Sequence, residues 1–245
     1  MDAETGHDEK LQKVLARAGI ASRRVCEDMI ESGRVRVNGE RAQLGRRVDA
    51  DTDAIEVDRV PIGTRAGQIY YLLNKPIGVV STAADPDGRT TVVSLVPEEP
   101  RVFPVGRLDA DTEGLILLTN DGDLTHRLTH PSFGVEKEYL VKVAGNPSRA
   151  AVRQLREGIE LDDGLTAPAQ ASILAGDLLR ITIHEGRNRQ IRRMCEAIGH
   201  PVERLVRQRI GPLRDRTLKP GSWRELTQDE VRNLERAVVA PPADR

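Results

Sequence analysis

Leu11, Val14, Leu15 and Ala18 recur at helical spacing within KLQKVLARAGI, which predicts an amphipathic helix stopped by Gly19. Ser22 stands at an N-cap position and predicts a second helix, with Val25, Met29 and Ile30 turned inward and Gly33 after its end. The period then changes from helix to strand. Valines alternate with arginines in Arg34-Val35-Arg36-Val37, and the following Asn38-Gly39 predicts a hairpin turn. Residues 54–58 form a further strand that buries Ile55 and Val57, and residues 59–67, with Pro61, Gly63 and Gly67, read as a linker.

Beyond the linker, strand and helix periods mix. Residues 69–74 are an apolar strand running into Lys75-Pro76-Ile77-Gly78, and Leu115–Leu118 is a second apolar, strand-like run. A helical turn over 124–128 precedes a strand at 138–143 that places Tyr139, Val141 and Val143 on one face. Ser148 caps a helix carrying Val152, Leu155 and Ile159, and residues 178–184 form another strand. That strand feeds a helix whose Ile191, Met194, Cys195 and Ile198 share a face ended by Gly199. Thr227 with Glu230 makes a capping box before Val231 and Leu234, and the tail 240–245 is expected to be disordered. The mixture predicts an α+β chain with a small helix-helix-hairpin domain at 8–58 and a larger domain at 68–238.

Composition narrows the chemistry. No run reaches the roughly 18 apolar residues of a membrane span, and the acidic start MDAETGHDEK lacks the features of a signal peptide, so a soluble cytoplasmic protein is expected. Cys26 and Cys195 lie far apart, without metal-site or redox spacing, and five scattered histidines suggest no metal centre. The net charge is −1, yet residues 10–47 carry ten Lys/Arg against four acids, and residues 187–216 carry nine Arg against three. Two basic segments in an otherwise acidic chain predict phosphate-binding surfaces. Phe103, Phe133, Trp223, Tyr70, Tyr71 and Tyr139 are all the large aromatics, too few to read several stacked bases.

The candidate chemistry sits in Gly106–Gly122, GRLDADTEGLILLTNDG, where Asp109 lies between a turn and an apolar run. A calcium loop does not fit, because Asn120 stands where a bidentate Glu is needed. A phosphatase nucleophile of the D-x-D-x-T kind and a plain polar turn are the other readings, but Gly106 and Arg107 interrupt the strand such a phosphatase needs. Arg107, Leu108, Asp109, Thr112, Gly114, Leu115 and Ile116 resemble the active-site signature of RsuA-type pseudouridine synthases, which isomerise uridine in ribosomal RNA. Lys75-Pro76-x-Gly78, Lys137-Glu138-Tyr139 and the segment 186–193 match further motifs of that family. Ala21-Ser22-Arg23-Arg24 and residues 33–39 resemble the S4-type RNA-binding domain.

The resemblance implies a cofactor-free catalytic domain with a mixed, largely antiparallel sheet, acting on a base flipped out of its stack. It implies that Asp109 is the catalytic carboxylate, that Tyr139 stacks on uracil, and that Arg192 pairs with Asp109 to keep it charged. Leu205 would close the pocket, with Arg107, Lys75 and Gln190 as further substrate-binding residues. Asp111 is expected only to shape the turn. Arg23, Arg24, Arg34 and Arg36 would form a phosphate-reading ridge on the small domain. Tyr70-Tyr71, the Asp85-Pro86-x-Gly88-Arg89 turn and Gly186-Arg187-Asn188-Arg189 resemble large-subunit (RluB-like) members, which favours 23S rRNA as partner of a monomeric enzyme. A 16S rRNA enzyme and a non-catalytic ribosome-assembly factor are the alternatives.

Overall fold

The Ser22 hydroxyl accepts from the Val25 amide at 3.3 Å and starts the helix Arg23–Glu31, which packs beside Leu11–Arg17. The computed structural model describes residues 8–50, 52–62 and 67–238, so Gly63 and the expected disordered tail lie outside the described residues. The chain divides into two compact units, the first made mainly of residues up to Ile69. Its core joins Leu11, Val14, Leu15, Cys26, Ile30, Val35, Val37, Val48 and Ile55. Val25 is 43% exposed, contrary to the helical reading, and Cys26 takes the inward place one turn before Ile30. Val35 and Val37 are buried and Arg36 is exposed, as alternation predicts. The sheet order is Glu40–Arg41, Val35–Val37, Ile55–Val57, Val60–Pro61, so a fourth strand forms inside the stretch read as linker.

The second unit is α+β. Its sheet runs in the order Gln170–Ala175, Leu178–Ile183, Lys137–Val143, Val202–Ile210, Glu113–Thr119, Tyr70–Lys75, Trp223–Glu225. Neighbours are antiparallel except for Val202–Ile210 beside Glu113–Thr119, which makes the sheet mixed. Leu72, Leu115, Leu117, Leu124, Leu128, Ile210 and Leu234 form one of its cores. Ser148 caps Arg149–Glu157, and the Thr227–Glu230 capping box starts Gln228–Ala237.

The parallel junction explains a glycine of the Asp109 motif. Gly114 sits at φ 109° directly opposite Arg207, and a β-carbon there would lie 2.2 Å from the Arg207 carbonyl oxygen. Only a residue without a side chain lets the two strands close. The strand Glu113–Thr119 is thereby docked against Val202–Ile210, and the loop just before it sits at the N-terminal end of a strand interior to the sheet.

Candidate active site

Asp109 is placed by its backbone neighbours. The Ser81 hydroxyl donates to the Leu108 carbonyl at 2.8 Å and accepts from the Leu108 amide at 3.1 Å, fixing the residue before it. The Gly78 amide donates to the Ala110 carbonyl at 2.7 Å, and the Thr112 amide to the Asp109 carbonyl at 3.0 Å. Lys75 is fully buried, with Nζ donating to the carbonyls of Val79 (2.7 Å), Pro76 (3.0 Å) and Ala110 (3.5 Å). Burial drives its pKa down to about 8 against the attraction of Asp111, Glu113 and Asp109. Lys75 therefore fastens the Lys75–Gly78 turn to the Asp109 loop, and, fully buried, it does not line the cleft where the expected binding role would place it.

A cleft of about 620 Å³ opens over this loop, within the size range of ligand sites. Arg107, Asp109, Lys137, Tyr139, Gln190, Leu205 and Arg207 all line it, so motifs separated by up to a hundred residues converge on one cavity. The sheet does the gathering: Tyr139 lies opposite Arg207, and Val141 opposite Leu205. Tyr139 and Leu205 are 9% and 6% exposed, and both line the cleft. Gln190 is a wall residue, its amide held by Glu185 and its oxygen accepting from the Arg187 amide at 3.0 Å.

The guanidinium beside Asp109 is not the one expected. Arg189 approaches the Asp109 carboxylate at 3.6 Å and that of Asp111 at 3.0 Å. Arg192 contacts Asp111 at 3.3 Å, donates to its carbonyl at 2.8 Å, and reaches the Thr112 hydroxyl at 3.4 Å. In place of the expected Arg192–Asp109 pair there is a hub at Asp111: Arg192 projects from the first turn of Gln190–Ala197 onto the carboxylate and carbonyl of Asp111. Burial raises the Asp111 pKa, but hydrogen bonding by Arg189 and the charges of Arg192 and Arg189 outweigh it, and the net shift is downward. Asp111 is more than a turn former. Arg189 itself adopts φ 47°, an uncommon left-handed conformation for a non-glycine residue, at the start of that helix.

Residues 187–216 are not the open phosphate surface that their charge predicted. Arg187 and Arg193 bind Asp163, Arg204 binds Glu113, Arg209 binds Glu136, and Arg214 binds Glu138. Local carboxylates absorb most of the positive charge. On the first unit, Arg23, Arg24, Arg34 and Arg36 are all exposed, but Asp58 holds Arg34 in a forked pair at 2.9 and 2.5 Å.

Residues 69–197 match the family model described as RNA pseudouridylate synthase, which covers more than half of the chain. The chain belongs to the RNA pseudouridylate synthase family. Residues 9–53 match the S4 domain model. Over 234 residues the synthase is 47% identical to "Ribosomal large subunit pseudouridine synthase B" of Bacillus subtilis, spanning 92% of this chain and 95% of that one. The protein of that name from Vibrio cholerae is 42% identical over 96% of this chain and 76% of its own. A solved pseudouridylate synthase superposes with a TM-score of 0.68 at 33% identity, covering 92% of this chain and 99% of that one.

Sequence reasoning about this synthase missed Arg189, Lys137 and Arg207. Arg189 carried a signal, since it belongs to the matched segment 186–193; Arg207 did not, because only the antiparallel pairing with Tyr139 brings it to the cleft. Burial, with the nearby Arg207 charge, lowers the Lys137 pKa to about 8 from its ordinary 10.5. The folded state thus disfavours charged Lys137, a cost in full force below pH 8 that fades toward pH 10.5 as the side chain loses its proton. Lys137→Met is expected to melt above wild type at pH 7, with the gap shrinking as pH rises from 8 to 10. Thermal melts of both proteins across that range check it; a pH-independent gap would be the wrong sign of a buried charge.

Proposed function

We propose that this synthase isomerises one uridine of large-subunit (23S) ribosomal RNA, using Asp109 on a nucleotide flipped into the cleft. The relatives named for the large ribosomal subunit support the substrate. One observation about the site carries the chemistry. Among the described residues the Asp109 carboxylate has an ion pair at 3.6 Å and no hydrogen-bond donor, while neighbouring Asp111 accepts bonds from Arg189. Asp109 keeps its oxygen lone pairs for a reacting atom, with the Arg189 guanidinium close by at 3.6 Å. The carboxylate either bonds to ribose C1′ or takes the C2′ proton; on both routes the C1′–N1 bond breaks. Uracil then turns between Tyr139 and Leu205, and C5 joins C1′. The net change is an isomerisation, which calls for no cofactor.

A monomer working in the cytoplasm, where rRNA is made and assembled, completes the reading; among the described residues no helix is long and apolar enough to cross a membrane. The deciding experiment is pseudouridine mapping of rRNA from cells with and without the gene. Loss of one 23S pseudouridine supports the proposal; loss confined to 16S rRNA, or no loss, would overturn it.

The S4 domain supplies phosphate contacts. With Arg34 neutralised by Asp58, the triple variant Arg23→Gln/Arg24→Gln/Arg36→Gln is expected to lower the slope of log Kd against log salt by about 2, at ~0.7–0.9 per phosphate contact. Arg34→Gln should leave that slope nearly unchanged. Filter binding at several salt concentrations measures both, and equal effects of the two variants would sink this division.

A further inference from the structure

Arg207 is a buried cation facing the cleft without an acid. It is 5% exposed, and Nε donates to the Leu115 carbonyl at 2.7 Å. One Nη is buried with no hydrogen-bond partner, and among the described residues Arg207 has no ion pair, unlike Arg187 and Arg189 in the same wall. Lys137 adds a second cation. It shares its strand face with Tyr139, whose cross-strand neighbour is Arg207, and lines the same cavity. An unpaired buried guanidinium is costly, and the half-buried Lys137 near it adds repulsion between like charges. The arrangement is stable at a cost that negative charge arriving in the cleft would relieve.

Depth distinguishes which negative charge arrives. A phosphodiester stays joined to the RNA chain and meets the exposed Arg107 and half-exposed Arg189 at the mouth. Arg207 lies beside Tyr139 on the sheet, where the base enters. Building on the isomerase reading above, we infer that Arg207 and Lys137 form the electrostatic site for the negative charge that develops on uracil when the glycosidic bond breaks.

The electrons balance on either route. When C1′–N1 breaks, its pair passes to N1 and is shared with the ring carbonyl oxygens, while C1′ is captured by Asp109 or becomes part of a double bond as Asp109 takes the C2′ proton. After rotation, the anionic ring uses its C5 carbon to bond C1′, with Asp109 leaving or returning the proton. C5 then loses its proton and N1 gains one. Arg207 and Lys137 stabilise the charge between these bond changes and bind the neutral base less strongly, which accelerates the chemical step.

The test is single-turnover pseudouridine formation at saturating enzyme, with RNA Kd and its salt slope measured alongside. Arg207→Gln is expected to slow the step by about 10²-fold, the scale of removing one pre-organised donor, with Kd within about threefold and the slope unchanged. Arg207→Lys should recover part of that loss. Lys137→Met should slow the step by about tenfold with Kd again preserved, and it decides the matter if Arg207→Gln does not fold. A raised Kd and a shallower slope with an intact saturated rate would assign the pair to phosphate and overturn the inference, as would unaltered rates in folded variants. A wild-type protein making no pseudouridine would instead overturn the isomerase reading itself.

Discussion

Asp109→Asn is expected to abolish turnover, slowing it by at least ~10³-fold, the scale of losing a nucleophile, while RNA binding survives. The amide keeps the size of the side chain but can neither bond to C1′ nor take the C2′ proton. Little else changes, because Ser81, Gly78 and Thr112 hold the loop through its backbone, not through the carboxylate. Asp111→Asn is the informative neighbour. It loosens Arg189 and Arg192 together, and charge-assisted bonds worth about 1.5–3 kcal/mol correspond to a loss of roughly 10–100-fold if Arg189 drifts from Asp109. Tritium release from C5-labelled uridine, with thermal melts to check folding, separates the two. A folded Asp109→Asn enzyme turning over near the wild-type rate would refute the assignment; an Asp111→Asn enzyme more impaired than Asp109→Asn would move the chemistry one turn along the loop.

The parts of the fold legible in the sequence are those fixed by local physics. Ser22, Ser148 and Thr227 cap the helices expected of them, and the valines of Val35–Val37 alternate as read, because capping and pleating act over a few residues. Val25 was misread because two helical faces fit the same short segment, and only the packed core chooses Cys26. The nine-residue strand Val202–Ile210 is not legible in the sequence because VERLVRQRI mixes charged and aliphatic residues without a strict two-residue period, and its place is set by pairing with distant strands. The site divides in the same way. Asp109, Tyr139 and Leu205 were legible through their motifs and share the cleft. Which arginine meets which carboxylate was not legible, because side-chain direction from a helix and the path of a loop decide it at the ångström scale, and spacing carries neither.

Gly114→Ala is the substitution expected to damage stability most. An alanine β-carbon would stand 2.2 Å from the Arg207 carbonyl oxygen and 2.5 Å from its amide nitrogen, so the conflict is with backbone and no rotamer change relieves it. The φ of 109° adds a strain that L side chains rarely bear. Relief requires the strand Glu113–Thr119 to part from Val202–Ile210 at the parallel junction, which would also pull the Asp109 loop away from Leu205 and Arg207. We expect a cost above ~4 kcal/mol, a size few single substitutions reach. For a protein of this length that lowers Tm by at least about 10 °C. Gly106→Ala controls for backbone conformation, because Gly106 also has a positive φ, 71°, but its β-carbon would meet nothing closer than 3.7 Å. It should cost only ~1–2 kcal/mol, the conformational penalty alone. Calorimetry of both variants reads the difference, and a Gly114→Ala protein melting within about 2 °C of wild type would show that the junction can open without cost, leaving the glycine of the motif unexplained by close approach.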